Sequence, residues 1–150
     1  MGRLLTIIAL GFGLLWTSQN AQAAHLVGGE ITYTCNGSNN YTIKLRVYRD
    51  CNSGGAQFDN TVTFTIFDNT GAQLYNPTVN KGTTINVPAG TGNPCLTTPP
   101  NICTEYADYV HTMTLPARVG GYTISYQRCC RNATISNIAA SGKGNTYTVQ

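Results

Sequence analysis

The sequence predicts an all-β fold, an immunoglobulin-like antiparallel β-sandwich held by disulfides. Three observations carry this. Apolar and polar residues alternate with a period of two in about seven short runs. Gly-, Asn- and Asp-rich turns separate the runs. All six cysteines lie downstream of an export signal.

The signal comes first. Gly2-Arg3 is a short basic start, Leu4 to Trp16 is apolar, and Thr17 to Asn20 is polar. Ala21-Gln22-Ala23 matches a small-x-small cleavage site, so residues 1–23 read as a secretory signal peptide. The apolar run is too short and wrongly flanked for a spanning helix. No later stretch is apolar enough, so no transmembrane segment is expected in the mature chain. The expected location is secreted or cell-surface. Residues 24–150 have the length of a single domain with one core.

The strands follow in order. Ile31, Tyr33 and Cys35 alternate with Thr32 and Thr34. Asn36-Gly37-Ser38-Asn39-Asn40 reads as a hairpin loop. Tyr41, Ile43, Leu45, Val47 and Cys51 then oppose Thr42, Lys44, Arg46, Tyr48 and Asp50, a half-buried strand. Val62, Phe64 and Ile66 alternate with threonines up to the turn Asp68-Asn69-Thr70-Gly71. Thr84 to Val87, Tyr109 to Leu115 and Thr146 to Val149 look like further strands. Tyr122, Ile124 and Tyr126 form another, after Gly120-Gly121. Thr, Val, Ile and Tyr dominate, as a pleated surface prefers. The strongest helical competitor is Cys103 to Asp108, one turn long.

Charge narrows the partner class. The chain carries 9 Lys+Arg and 6 Asp+Glu; loss of Arg3 with the signal leaves 8 − 6 = +2. Without a basic run, nucleic acid and anionic membrane are poor partners. The only tryptophan is Trp16, in the signal.

An even cysteine count in an exported chain reads as a disulfide framework of Cys35, Cys51, Cys95, Cys103, Cys129 and Cys130. Adjacent residues on a strand face opposite ways, so Cys129 and Cys130 each seek a separate partner. A redox dithiol would more plausibly be C-x-x-C at a helix start, and zinc would want paired short spacings. Cys95 and Cys103 flank a stiff loop containing Pro99-Pro100, so Cys95–Cys103 is the favoured bond. Cys35 and Cys51 are then expected to pair with Cys129 and Cys130, in an order left open.

The stretches "AHLVGGEITYTC", "YTIKLRVYRDC" and "GGYTISYQRCCRN" together resemble the N-terminal module of large exported Bacteroidetes proteins. These are gliding-motility-associated or type IX secretion cargo proteins, many with PKD-like repeats. The resemblance runs from His25 to Gln150. It implies a cell-surface or secreted module and names no catalytic residue. The chain stops at Gln150 inside a strand-like run, without downstream repeats or a sorting domain, which leaves two readings open: a fragment truncated at its C-terminus, or a complete chain that does not fit type IX export.

Several constellations bear on chemistry. His25 and His111 are the only histidines. Cleavage after Ala24 would make His25 a candidate half of a copper-binding histidine brace with His111. Cleavage after Ala23 fits the small-x-small rule better, and His111 shares the parity of Tyr109, Met113 and Leu115. No metal or cofactor is therefore expected. Glu30, Glu105 and Asp108 are the acids one would try as a catalytic pair, but no motif fixes their separation. Asp68 to Gly71 is the nearest calcium candidate and is more simply a turn. Arg46, Arg49, Arg128 and Arg131 suit ion pairs, with Glu30 a partner for Arg46 or Arg49 and Asp50, Asp59 or Glu105 as others. Ser18 and Ser125 lie in no nucleophile motif. Asn36, Asn40 and Asn132 head sequons that a bacterial source would leave unused.

The function expected is a non-catalytic extracellular module for adhesion or structural presentation, offering loops 52–60 and 88–104 to an unknown protein or glycan. A glycan-binding module is the alternative, with Tyr41, Tyr48, Tyr75, Tyr106 and Tyr109 as stacking faces.

Overall fold

The long alternating runs become long strands. The structure is a computed structural model that describes residues 26–52, 56–88, 90, 95, 101–128 and 144–150. Its strands are β1 (Leu26–Gly37), β2 (Asn40–Asp50), β3 (Thr61–Thr63), β4 (Thr65–Asp68), β5 (Gln73–Tyr75), β6 (Thr78–Val87), β7 (Thr104–Thr114), β8 (Tyr122–Arg128) and β9 (Asn145–Val149). They form two antiparallel sheets. One has the order β1-β2-β7-β6-β3 and the other β5-β4-β8-β9. The immunoglobulin-like β-sandwich follows from their packing face to face.

The parity read from the sequence is the parity of the core. Ile43, Leu45 and Val47 of β2 point inward and are buried. Phe64 and Ile66 meet them from the chain's return, and Ala107, Tyr109, Ile124 and Tyr126 complete the interior. Each fully buried large apolar side chain contributes about 1.5–3 kcal/mol.

Val62, Phe64 and Ile66 keep one rhythm, yet the chain changes sheets among them. β3 pairs with β6, and β4 pairs with β5 and β8. Phe64 sits at the crossover, where its N–H donates to the Pro77 carbonyl at 3.0 Å. Both sheets are therefore tied by one continuous apolar edge.

Three readings change. The one-turn helix over Cys103 to Asp108 is instead the start of β7, which pairs with β2 from Asp50↔Thr104 to Asn40↔Thr114. Eleven paired residues outweigh one helical turn. β5, three residues long, follows the Asp68 to Gly71 turn at a place where the alternation marks no strand. Tyr33 and Cys35 have the inward parity but lie exposed. The β1–β2 hairpin, with strands of 12 and 11 residues, overhangs a partner sheet whose β4 and β8 have 4 and 7.

Gly29 shows how closely the sheets meet. A Cβ there would lie 2.8 Å from the Arg46 carbonyl oxygen and 3.0 Å from the Tyr147 ring. Tyr147 in turn stacks on Tyr126, ring centroids 6.3 Å apart. The missing side chain lets β1 approach β9.

Candidate functional site

One end of the sandwich gathers loops. Asp50, Thr104 and Val87 lie side by side across β2, β7 and β6. The segments that follow Asp50, precede Thr104 and follow Val87 therefore leave from one row. Register explains the crosslink found there. With Thr104 opposite Asp50, Cys103 falls beside Cys51, and the two form a disulfide with Cα atoms 5.2 Å apart. The Cys51 N–H also donates to the Cys103 carbonyl at 3.1 Å. This corrects the favoured Cys95–Cys103 bond and the expected pairing of Cys51 with Cys129 or Cys130: the loop base is closed by Cys51, because sheet register brings the strand ends together.

Arg49 braces the same end. It continues the inward parity of Ile43 to Val47 and is only 6% exposed. Its guanidinium donates to Glu105 on β7 and, at 2.9 Å, to the Ala56 carbonyl. Its charged head lies 5.6 Å from the Phe58 ring centroid. The Asn52 amide donates to the Asn101 carbonyl. Across the sandwich, Arg128 pairs with Asp59 at 2.9 Å, and the Tyr109 hydroxyl donates to the Asp59 carbonyl at 2.6 Å. Burial pushes the Tyr109 phenol pKa well above its ordinary value.

The remaining cysteines divide by location. Cys129 and Cys130 lie outside the described residues, while their neighbour Arg128 is held at the braced end. Cys35 is an exposed free thiol opposite Tyr41 at the other end of β2. From Tyr41 to Cys51 is about 33 Å of strand at about 3.3 Å per residue.

The acids do not assemble into a pair. Asp108 is committed to Arg46 through two hydrogen bonds of 2.7 and 2.8 Å on the outer sheet face. Glu105 faces inward to Arg49, and Glu30 is exposed on β1. Arg46 thus turns to Asp108 and not to Glu30. Arg131 lies outside the described residues. Asp68 is a turn hub. Its Oδ1 accepts from the Thr70 N–H and hydroxyl at 2.9 and 2.6 Å and from the Ala72 N–H at 2.9 Å; Oδ2 accepts from Arg118 at 2.9 Å. The Thr70 hydrogen bond leads in holding this carboxyl below its usual pKa. Among the described residues no three His, Cys, Asp or Glu side chains cluster as metal ligands. His25 is outside the described residues. His111 sits opposite Ile43, whereas Leu26 sits opposite Arg49, about 20 Å farther along the strand.

The five tyrosines proposed as stacking faces are dispersed. Tyr109 is core and Tyr75 is exposed on β5. Tyr48 and Tyr106 pair on the outer face at 5.8 Å, with the Arg46 guanidinium 4.1 Å over Tyr106. Tyr41 lines a cleft. It does so with Tyr33, Leu115, Tyr122 and Ile124, around about 170 Å³ at the end opposite the disulfide. Compared with protein-family models, curated proteins and solved structures, the chain matches none.

Tyr33 shares the alternation of Ile31 but is 47% exposed, whereas Tyr122 packs against the core. The signal that separates them is strand length: the hairpin is longer than the strands facing it, so its inner face runs out past its cover.

Proposed function

We propose that the protein is a non-catalytic module, secreted or on the cell surface, that presents its loops for adhesion within a larger surface protein. One observation carries this reading. The segments around residues 52–60 and 88–103 leave a single row of strand ends, and that row is locked by the Cys51–Cys103 disulfide and the buried Arg49–Glu105 pair. Loops on a rigid scaffold are where recognition usually resides. Bracing the loop bases lowers the ordering cost of binding.

Two sequence features support the location. The signal peptide at residues 1–23 directs export, and a disulfide suits an oxidising compartment. The resemblance to Bacteroidetes gliding-motility-associated proteins supports a place in a surface assembly.

The test is display of residues 24–150 on beads, followed by attachment to cells of the producing organism. Exchange of the exposed loop residues Gln57 and Ile102 should reduce attachment without changing the thermal midpoint. Unchanged attachment would move recognition away from this end.

A further inference from the structure

The hairpin between β1 and β2 carries a chemically reactive dipeptide. Asn36-Gly37 is the one place in the chain where an asparagine precedes a glycine. Both residues are exposed. Glycine matters because, without a Cβ, it leaves its backbone nitrogen open to approach. The turn beyond is tight. Gly37, Ser38 and Asn39 all have positive φ, of 91°, 50° and 59°, and Gly37 pairs with Asn40. This is the two-residue turn that a right-twisted hairpin prefers.

The Asn36 side chain is engaged across the hairpin. Its amide nitrogen donates to Asn40 Oδ1 and to Thr42 Oγ1, both at 2.9 Å. The Thr42 hydroxyl meets the Thr112 hydroxyl at 3.0 Å. One amide thus starts a ladder over β1, β2 and β7, on the outer sheet face that Thr42 shares with Lys44 and Arg46. A side-chain amide has two N–H donors, and both are used here. From Thr32 to Ile43 the sequence holds no charged residue, so the hairpin tip is neutral.

We infer that Asn36-Gly37 is a self-modifying site, held off by this ladder while the hairpin is closed. The chemistry needs only water. The Gly37 nitrogen gives its proton to solvent and attacks Asn36 Cγ. A new C–N bond closes a five-membered succinimide ring, the Cγ–Nδ2 bond breaks, and the amide nitrogen takes a proton from solvent and leaves as ammonia. Water then opens the ring at either carbonyl, giving aspartate or isoaspartate. Attack requires the two reacting atoms about 3–3.5 Å apart. The two hydrogen bonds hold the side chain across to β2 instead, so the ring closes only when the hairpin opens locally. Either product removes both donors and adds a negative charge to the neutral tip. Isoaspartate also inserts a methylene into the backbone at the register shift between Cys35 and Gly37. Each opening therefore adds to a one-way mark on the hairpin. The inference concerns the end of the sandwich opposite the braced loops, and it stands or falls independently of the adhesion reading.

The test incubates the intact protein at mildly alkaline pH, native and in urea, and follows every asparagine by peptide mass mapping. In urea, Asn36 should convert faster than any other asparagine, to a mixture of aspartate and isoaspartate. In the native protein it should convert more slowly by about tenfold or more. Thr42→Val keeps the shape of the side chain and removes one acceptor. It should speed native conversion about two- to tenfold, the factor that one hydrogen bond is worth. Asn36→Gln, which cannot close a five-membered ring, should remove the signal. Gly29→Ala strains β1 away from the ladder and should leave the native rate at Asn36 within about twofold. Conversion in urea no faster at Asn36 than at the other asparagines overturns the site. Equal rates in native protein and in urea, or no response to Thr42→Val, overturn the gate. So does equal acceleration by Gly29→Ala and Thr42→Val, which would assign the reaction to global unfolding.

Discussion

Arg49 occupies a core position of β2 and turns its guanidinium onto the Glu105 carboxylate of β7, with both side chains nearly buried. The apolar rhythm of Ile43, Leu45 and Val47 thus ends on a charge pair immediately before the disulfide. Buried pairs contribute little net stability, but breaking one leaves an uncompensated buried charge. Glu105→Ala should therefore cost about 3–5 kcal/mol in urea unfolding. The double variant Arg49→Met, Glu105→Leu should recover most of that loss. Independent, additive losses would show that the two side chains do not act as a pair.

The crosslink makes a second prediction. Cys51 and Cys103 are separated by 52 residues. Closing such a loop in the unfolded chain contributes about 4 kcal/mol in the chain-entropy account. Replacing both by serine should lower unfolding free energy by about that amount. Cys35→Ser should stay within about 0.5 kcal/mol, because the residue is exposed and unbonded. Peptide mapping under non-reducing conditions checks the bond itself: Cys51 and Cys103 should share a fragment, and Cys95 and Cys103 should not be joined.

Close approach of the sheets is testable at one glycine. Gly29→Ala pushes a methyl group against the Arg46 carbonyl and the Tyr147 ring. Overpacking of this kind costs about 1–3 kcal/mol. Gly28→Ala meets nothing within 4 Å and serves as the control. Equal thermal midpoints for the two variants would mean that β1 and β9 are not in contact.

Stability should fall at both pH extremes. The Asp68 and Asp108 carboxyls are held below their ordinary value of 3.8, chiefly by the Thr70 and Arg46 hydrogen bonds respectively. Their stabilisation is fully present above that value and is lost as pH falls through the lower folded values. Burial raises the phenols of Tyr109 and Tyr126 above 10.0. Stability from these groups is fully present below that value and is lost as pH rises toward the folded values. Thermal midpoints across pH should trace a plateau with two falling limbs, and Asp108→Asn should make the acid limb shallower.

Much of this fold is legible in the sequence because the strand signal is a local one. The alternation in β2 alone identifies Ile43, Leu45 and Val47 as core. Register is not local, and register decides the cysteine pairing. Nothing near Cys103 says that β7 will align Thr104 with Asp50, and the proline-rich loop points to Cys95 instead. Arg49 is legible as an ion-pair residue with Glu105 among its candidate partners, but its burial is not: its parity is inward, and only the position of Glu105 across the sheet makes a buried arginine tolerable. The tyrosine cleft depends on the relative lengths of strands in two different sheets. A single alternating run carries no record of where its cover ends, so Tyr33 and Ile43 look alike in sequence.

The measurement closest to the central claim is attachment of bead-displayed residues 24–150 to cells of the producing organism. The comparison is between the native domain and the loop variant Gln57→Lys, Ile102→Asp. Ile102 is exposed beside Cys103, and Gln57 follows the Ala56 carbonyl that Arg49 holds. The account predicts attachment by the native domain and a loss of about tenfold or more in the variant, equivalent to about 1.4 kcal/mol, at an unchanged thermal midpoint. Equal attachment by both proteins, or none by either, would contradict a function of presentation from the braced end.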